Sequence, residues 1–451
     1  MKFFNLSVNL NNMFKKLLLI SAIGLSGIAF SQNTVKEKLS NYLDSLCLHH
    51  KVMGSFAFVD KNQAKFVKVV GLSDVEHQQN ANMNTQYRIG SISKIFTAVL
   101  VMKAVEEKKI SLDDKLSGFY PEIPNAQKIT IEHMLQHRSG IHNLTDEPEY
   151  MQYYTKPHTE ADLIGIIKKY NSDFEPGAKF EYSNSNYILL GIILEKIYKT
   201  SYAELVSTKI ARPLKLTLTK VGGAIDPSKN QAESYEYIEG RYRKMPETDM
   251  SIPGGAGNMV STPVELLEFI IGLEKGKLIK KASLDKMKSF KDGYGYGLIK
   301  LTYDKSSGFG HNGGIDGFRS AVYYFPDLKV AASYIVNQSS IDPDDIFDNM
   351  MAAATGKDFK IPSFAVIQVP EAELKKLTGN YASPGVPLKI NIFIQNKVLM
   401  AQATGQSAFP LDAISETSFK YDMAGIVINF HPEKKQFDII QRGAKTTFTK
   451  E

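Results

Sequence analysis

Tyr87-Arg88-Ile89-Gly90-Ser91-Ile92-Ser93-Lys94-Ile95-Phe96-Thr97-Ala98-Val99 is the stretch from which the rest of the chain can be read. Tyr87 to Ile89 reads as the end of a strand, and Gly90 as the turn that opens a helix. Ile92, Ile95, Phe96 and Val99 then recur at i, i+3, i+4 and i+7, the spacing of one helical face, and Met102 continues it. That face is expected to pack in the core. Ser91 and Lys94 stand three apart and are therefore neighbours on the helix surface. A serine hydroxyl is a poor nucleophile until a base takes its proton, and a lysine serves once burial or another cation has lowered its pKa. The free N–H groups at the helix start suit a developing oxyanion. An isolated Ser-x-x-Lys more often marks a helix cap beside a solvated lysine. The chain holds a second match, Ser283-Leu284-Asp285-Lys286, in a lysine-rich stretch that reads as surface and chance.

Two further segments separate the first match from the second. Tyr182-Ser183-Asn184 follows Pro176-Gly177 and precedes an apolar helix pattern at Ile188, Leu189, Ile192 and Ile193. Tyrosine and asparagine two apart in a turn can face one cleft. A phenol near a lysine ammonium can have a lowered pKa and act as a base, and an asparagine offers donor and acceptor to an amide. His311-Asn312-Gly313 lies in the glycine-rich run from Gly308 to Phe318, ahead of a strand beginning near Arg319. Glycines there would let a substrate backbone lie along a strand edge. Plain turn residues and a structural histidine are the alternatives.

In this order the trio resembles the Ser-x-x-Lys, Tyr-x-Asn and His/Lys-x-Gly motifs of the serine β-lactamase and penicillin-binding protein superfamily, and within it the class C β-lactamase and DD-peptidase branch. Ile129 to Gly140, Gly254 to Thr262 and Tyr294-Gly295-Tyr296-Gly297 agree, and the resemblance spans roughly residues 35–355. It implies an antiparallel sheet flanked by helices with a helical subdomain, and no cofactor or metal. It implies Ser91 as the acylated nucleophile, and Lys94 and Tyr182 as the proton-shuttling pair. Asn184 would hold the substrate amide, with His311 and Gly313 on the opposite wall. The backbone N–H groups of Ser91 and Gly314 would form the oxyanion hole. His-Asn-Gly and Tyr-Ser-Asn replace the Lys-Thr-Gly and Tyr-Ala-Asn general in class C β-lactamases. That departure is closer to DD-carboxypeptidases, D-aminopeptidases and esterases. It argues against efficient β-lactam hydrolysis while leaving acylation by penicillin open. The expected reaction is DD-carboxypeptidase-like amide cleavage. A β-lactamase, an ester hydrolase or a penicillin-binding sensor without turnover is the alternative. Arg319 is the candidate for a substrate carboxylate.

Organisation follows from the remaining patterns. The apolar and charged fractions, 43% and 23%, are those of a globular chain. Lys2, Lys15 and Lys16 account for three of the six net positive charges, so the rest of the 451 residues gives no reason to expect nucleic acid. Lys15-Lys16, the run Leu17 to Phe30 and Ala29-Phe30-Ser31 read as a signal peptide cut before Gln32, with Met13 an alternative start. The run is too short for a transmembrane span. The expected destination is secreted or periplasmic. Cys47, the single cysteine, excludes an internal disulfide and sits in a helix pattern with Val35, Leu39, Tyr42, Leu43 and Leu46. Strand-like runs at Ser55–Val59, Lys65–Val70, Ser320–Phe325 and Val330–Val336 flank a mainly helical region from 95 to about 275, an α/β sandwich with a helical subdomain. A helical stretch is expected near Asp344–Ala354. Period-two patterns from Leu388 to Ile439 predict a small antiparallel barrel with an aromatic core, and this tail resembles lipocalin-like domains. The expected segments are a signal peptide over 1–31, a hydrolase domain over 32–356, a linker over 357–370 and the barrel domain over 371–451. His133, His137 and His142 lack the spacing of a zinc helix and read as structural hydrogen-bonding groups.

Overall fold

The computed structural model describes residues 34–361, 367–395, 397–441 and 444–451. The expected signal peptide lies outside the described residues, as do 362–366 of the expected linker.

The chain opens with helix α1 over 34–48, then strands β1 (Val52–Val59) and β2 (Lys65–Val70). Helix α2 (Ser93–Glu106), helix α3 (Asn184–Tyr198) and helix α4 (Pro263–Glu274) belong to the middle region. Strands β3 (Ile299–Tyr303), β4 (Ser306–Ile315), β5 (Phe318–Phe325) and β6 (Val330–Ser339) follow, then helix α5 (Pro343–Thr355). The sheet order is β3-β4-β5-β6-β1-β2, with every pair antiparallel.

Side chains alternate across this sheet. Phe56 and Phe58 of β1 join Leu39 and Leu43 of α1 and Met350 of α5 in one core. Ala57 and Val59 point the other way, into a second core with α2, α3 and α4. Covered on both faces, β1 is buried along its whole length. The α1 residues Val35, Leu39, Tyr42, Leu43 and Leu46 are buried as their spacing predicted, with Cys47 half-buried beside them.

Helix α2 departs from expectation. The spacing predicts one buried face, yet every residue from Ser93 to Met102 is buried. Phe96 stacks on Phe269 of α4 with ring centroids 3.8 Å apart. On another side Thr97 Oγ1 donates to the Gly255 carbonyl at 2.6 Å, and Tyr202 OH lies 2.6 Å from Thr97 Oγ1. Hydrogen bonds satisfy the polar side chains, so the helix can be enclosed all round.

Strand β4 is a second departure. The segment around His311 is expected only to precede a strand beginning near Arg319, but Ser306–Ile315 is itself a ten-residue strand. Its glycines mark close approaches. A Cβ on Gly310 would stand 1.9 Å from the Val322 carbonyl oxygen, and one on Gly313 would stand 2.1 Å from the Ile89 carbonyl oxygen. The strand end expected at Tyr87 is present as Tyr87–Arg88, which forms a small sheet with Lys220–Val221 and Met259–Ser261, two strands too brief for period-two patterning to reveal.

Beyond α5, helix α6 (Glu371–Leu377) precedes nine antiparallel strands that form a nearly closed barrel. The last, Ala444–Lys450, pairs with the first, Gly379–Ser383. Ile390, Ile392, Phe419, Ile428, Phe430 and Phe437 fill its interior, so the predicted aromatic core is present. Lys51 ties the barrel to the sheet domain through Asp412 and Asp422, at 3.4 and 3.2 Å. No helix among the described residues is long and apolar enough to cross a membrane.

Candidate active site

Ser91 lies in a single 3₁₀ turn, Gly90–Ile92, that leads into α2. Three hydrogen bonds fix this turn. Ile89 N–H donates to the Met259 carbonyl at 3.0 Å, Ser320 Oγ to the Ile89 carbonyl at 2.9 Å, and Ser93 Oγ to the Gly90 carbonyl at 2.7 Å. Gly90 has a φ of +51°, and a Cβ there would stand 2.8 Å from the Gly314 carbonyl oxygen and 2.9 Å from its nitrogen. Glycine is needed for both reasons. The end of β4 is thereby pressed against the serine turn, and Ser91 and Gly314 line one cleft.

Lys94 is fully buried. Its Nζ contacts three oxygens: Ser91 Oγ at 3.0 Å, Asn184 Oδ1 at 2.8 Å and the Ala256 carbonyl at 2.9 Å. The two carbonyl oxygens can only accept, so each takes an N–H. In the neutral amine that leaves the lone pair directed at Ser91 Oγ. Among the described residues no carboxylate contacts Nζ, and burial pushes its pKa well below the ordinary lysine range. Asn184 is held in turn. Its backbone N–H donates to Asn143 Oδ1 at 2.8 Å, and its Nδ2 donates to Asn143 Oδ1 at 3.3 Å and Thr145 Oγ1 at 3.2 Å. These contacts orient Oδ1 toward Lys94.

The Tyr182 ring lies 4.9 Å, centroid to Nζ, from Lys94, and its hydroxyl hydrogen-bonds Ser91. The structure corrects one expectation here. Burial pushes the phenol above its ordinary pKa and outweighs the lowering effect of the Ser91 bond. The phenol is therefore held in its protonated form.

His311 is buried behind Tyr182, with ring centroids 6.3 Å apart. Its Nδ1 lies 2.5 Å from the Asn312 carbonyl, which accepts, so Nδ1 carries the hydrogen. Its Nε2 lies 3.1 Å from Tyr294 OH. His137, also fully buried, accepts the Ser183 N–H on Nδ1 at 3.1 Å and meets the same Tyr294 hydroxyl through Nε2 at 3.2 Å. These partners assign one consistent pattern: His137 Nε2–H donates to Tyr294 oxygen, and Tyr294 O–H donates to His311 Nε2. Both histidines are neutral. Burial brings His311 down to about 3 and holds His137 well below its ordinary value. The His137 ring stands 4.3 Å from that of Tyr182 and braces it.

The expected residues Ser91, Lys94, Tyr182 and Asn184 thus meet directly, with Gly313 and Gly314 against the serine turn and His311 in a layer behind. The second Ser-x-x-Lys is elsewhere, with Ser283 Oγ donating to Glu106 at 2.5 Å. Sequence reading left several residues without a role. Ala256 and Tyr294 lie in segments quoted for the resemblance, and nothing in the sequence marks Asn143 or Thr145, whereas His137 is the structural hydrogen-bonding group expected. His133 caps its own helix by accepting the Thr130 N–H at 3.3 Å, and His142 faces Asp173 at 3.0 Å.

The cleft over Ser91 has a volume of roughly 290 Å³ and no lining residue from the C-terminal barrel. The profile of the family described as Beta-lactamase matches residues 49–357. A Staphylococcus aureus protein named teichoic acid D-alanine hydrolase is 27% identical over 300 residues, 65% of this chain and 72% of the relative. The solved D-amino acid amidase from Ochrobactrum anthropi SV3 superposes with a TM-score of 0.63 at 23% identity, covering 71% of this chain and 98% of the amidase. An octameric penicillin-binding protein homologue from Pyrococcus abyssi covers 91% of this chain and 99% of its own, with a TM-score of 0.64 at 24% identity. With the profile spanning well over half its length and the fold shared throughout that span, the chain belongs to the Beta-lactamase family.

Proposed function

We propose that the protein hydrolyses amide or ester bonds through an acyl-enzyme at Ser91. The observation that carries this reading is the Lys94 environment: two carbonyl acceptors fix its N–H bonds and leave its lone pair for Ser91 Oγ at 3.0 Å. In acylation, Ser91 Oγ bonds to the substrate carbonyl carbon and its proton passes to Lys94 Nζ. The oxyanion is received by the backbone N–H groups of Ser91 and Gly314. As the bond to the leaving group breaks, the Tyr182 phenol protonates the leaving atom and Lys94 returns a proton to Tyr182. Water then attacks the acyl carbon by the reverse path and restores Ser91.

Burial of Lys94 supports the first step, because an ammonium cannot accept the serine proton. Asn184 positions Lys94 and borders the substrate, while His311 and Gly313 form the wall behind and beside it. The named activities of the relatives, D-alanine hydrolase and D-amino acid amidase, support a D-configured acyl donor. Cleavage of a peptide ending in a D-amino acid is the narrower form of this reading. Residues 1–31 as an export signal, 32–356 as the hydrolase domain, 357–370 as the linker and 371–451 as a lipocalin-like appendage complete it.

Turnover of D-aminoacyl nitroanilides and nitrophenyl esters by wild type and Ser91→Ala tests the reading. The expected result is release of product by wild type and a loss of about 10³-fold or more in Ser91→Ala. Equal rates in the two proteins would refute it.

A further inference from the structure

We propose that Tyr294 is a positioning residue that fixes the separation of the two walls of the cleft, as the middle link of a buried hydrogen-bonded strap running from Ser183 to Asn312. The kinetic consequence rests on the Ser91 acyl-enzyme reading, whereas the placing of protons along the strap does not depend on it.

The strap begins beside the phenol. His137 holds the backbone on both sides of Tyr182: its carbonyl accepts the Glu181 N–H at 2.9 Å, and its Nδ1 accepts the Ser183 N–H at 3.1 Å. Asn186 Nδ2 approaches the same nitrogen at 3.4 Å. An accepting Nδ1 puts the ring hydrogen of the neutral imidazole on Nε2, which donates to the Tyr294 oxygen at 3.2 Å. Tyr294 O–H donates to His311 Nε2 at 3.1 Å, and His311 Nδ1–H donates to the Asn312 carbonyl at 2.5 Å. Every proton in the row therefore points from Ser183 toward Asn312.

The ends of the strap lie where displacement matters. Ser183 caps α3 and stands between Tyr182, which bonds Ser91, and Asn184, which holds Lys94. Asn312 belongs to β4 and stands two residues before Gly314. The links are enclosed, with His137, Tyr294 and His311 exposing 0%, 4% and 1% of their surface, so a group left unpaired there has no solvent to turn to. His137 also has a φ of +53°, in the left-handed region that a β-carbon disfavours. Such strain persists where the surroundings over-determine the residue, and the bonds to Glu181, Ser183 and Tyr294 supply that constraint. None of the three links lines the cleft, so the strap acts on the placing of the reacting groups and not on substrate contact.

Two measurements on the full chain test this. The first is the imidazole tautomers of the wild type, from long-range proton–nitrogen spectra with His137→Gln and His311→Gln as assignments. The expected result is opposite tautomers, His137 carrying hydrogen on Nε2 and His311 on Nδ1. Matching tautomers, or a doubly protonated ring at neutral pH, would overturn the proposal whatever the activity. The second is the kinetics of Tyr294→Phe on a nitrophenyl ester. This variant keeps the ring against His137 and His311, at centroid distances of 4.8 and 5.7 Å, and removes only the link. A misplacement of about 1 Å costs roughly 10²-fold, so kcat is expected to fall by about 10- to 100-fold with KM within about threefold. Tyr202→Phe is the comparison, because its buried hydroxyl bonds Thr97 at 2.6 Å, outside the strap; its kcat is expected to stay within about twofold of wild type. Wild-type kcat in Tyr294→Phe, or equal losses in the two variants, would overturn the role of Tyr294. Absence of any acyl-enzyme in the wild type would overturn the Ser91 reading and with it the kinetic role, while the tautomers still decide the strap.

Discussion

Lys94 directs two N–H bonds to carbonyl oxygens that cannot donate, and this leaves one role for its third contact, Ser91 Oγ. The chemistry at this scale depends on keeping a negative charge away from Nζ. Asn184→Asp would place a carboxylate where Oδ1 now lies 2.8 Å from it. An anion there favours the ammonium and raises the Lys94 pKa. Since the neutral amine is the active form, the acid limb of the pH profile should move up by at least one unit. At pH 7 kcat/KM should fall by about tenfold or more, with recovery at higher pH. A pH profile of both proteins checks this, and an unshifted acid limb would remove Lys94 from the role of base. Ser91, Lys94, Tyr182 and Asn184 were legible in the sequence because their spacing is itself the signal. Asn143, which sets the orientation of Asn184, was not, because a contact across a loop leaves no periodicity. The direction of the Tyr182 shift was misjudged for a related reason: burial cannot be read from spacing, and burial decides whether Lys94 carries a charge.

At the scale of elements, the site is a collision avoided. Strand β4 reaches the Ser91 turn only because Gly90 and Gly313 have no side chains. Gly90→Ala would place a methyl group 2.8 Å from the Gly314 carbonyl oxygen in a backbone region that disfavours alanine. It should lower kcat by about 10²-fold through displacement of the oxyanion donors and cost roughly 1–3 kcal/mol of stability. Paired kinetics and urea melts check both, and wild-type kcat in a folded Gly90→Ala protein would contradict the role of this contact. Gly308, Gly310, Gly313 and Gly314 hid β4 from the sequence pattern, since glycine weakens the strand signature. Strands β1, β2, β5 and β6 were legible because their apolar runs face two cores. The enclosure of α2 was not, because its polar face is buried against hydrogen-bonding partners rather than exposed.

Across the whole molecule, the cleft over Ser91 and the C-terminal barrel occupy different faces. The cleft is built from α2, the start of α3, the end of β4 and the loops around them. The barrel meets the α1 and α5 side, where Tyr42, Asp345 and Asn349 share a cavity with Lys420, Asp422 and Ile426. The barrel itself was foreseen from alternating residues between Leu388 and Ile439, and its aromatic side chains turned out to be its filling. Its docking site was not foreseen, because contacts such as Lys51 with Asp412 and Asp422 join distant parts of the chain through single, partly buried charges. The account's central claim concerns one covalent bond, which intact mass can detect in the full chain. Protein quenched in acid during steady-state turnover of a D-aminoacyl ester should carry one added acyl group. Peptide mapping should place it on Ser91, and Ser91→Ala should show none. Turnover with an unmodified Ser91 throughout, or an acyl group on any other residue, would contradict the account.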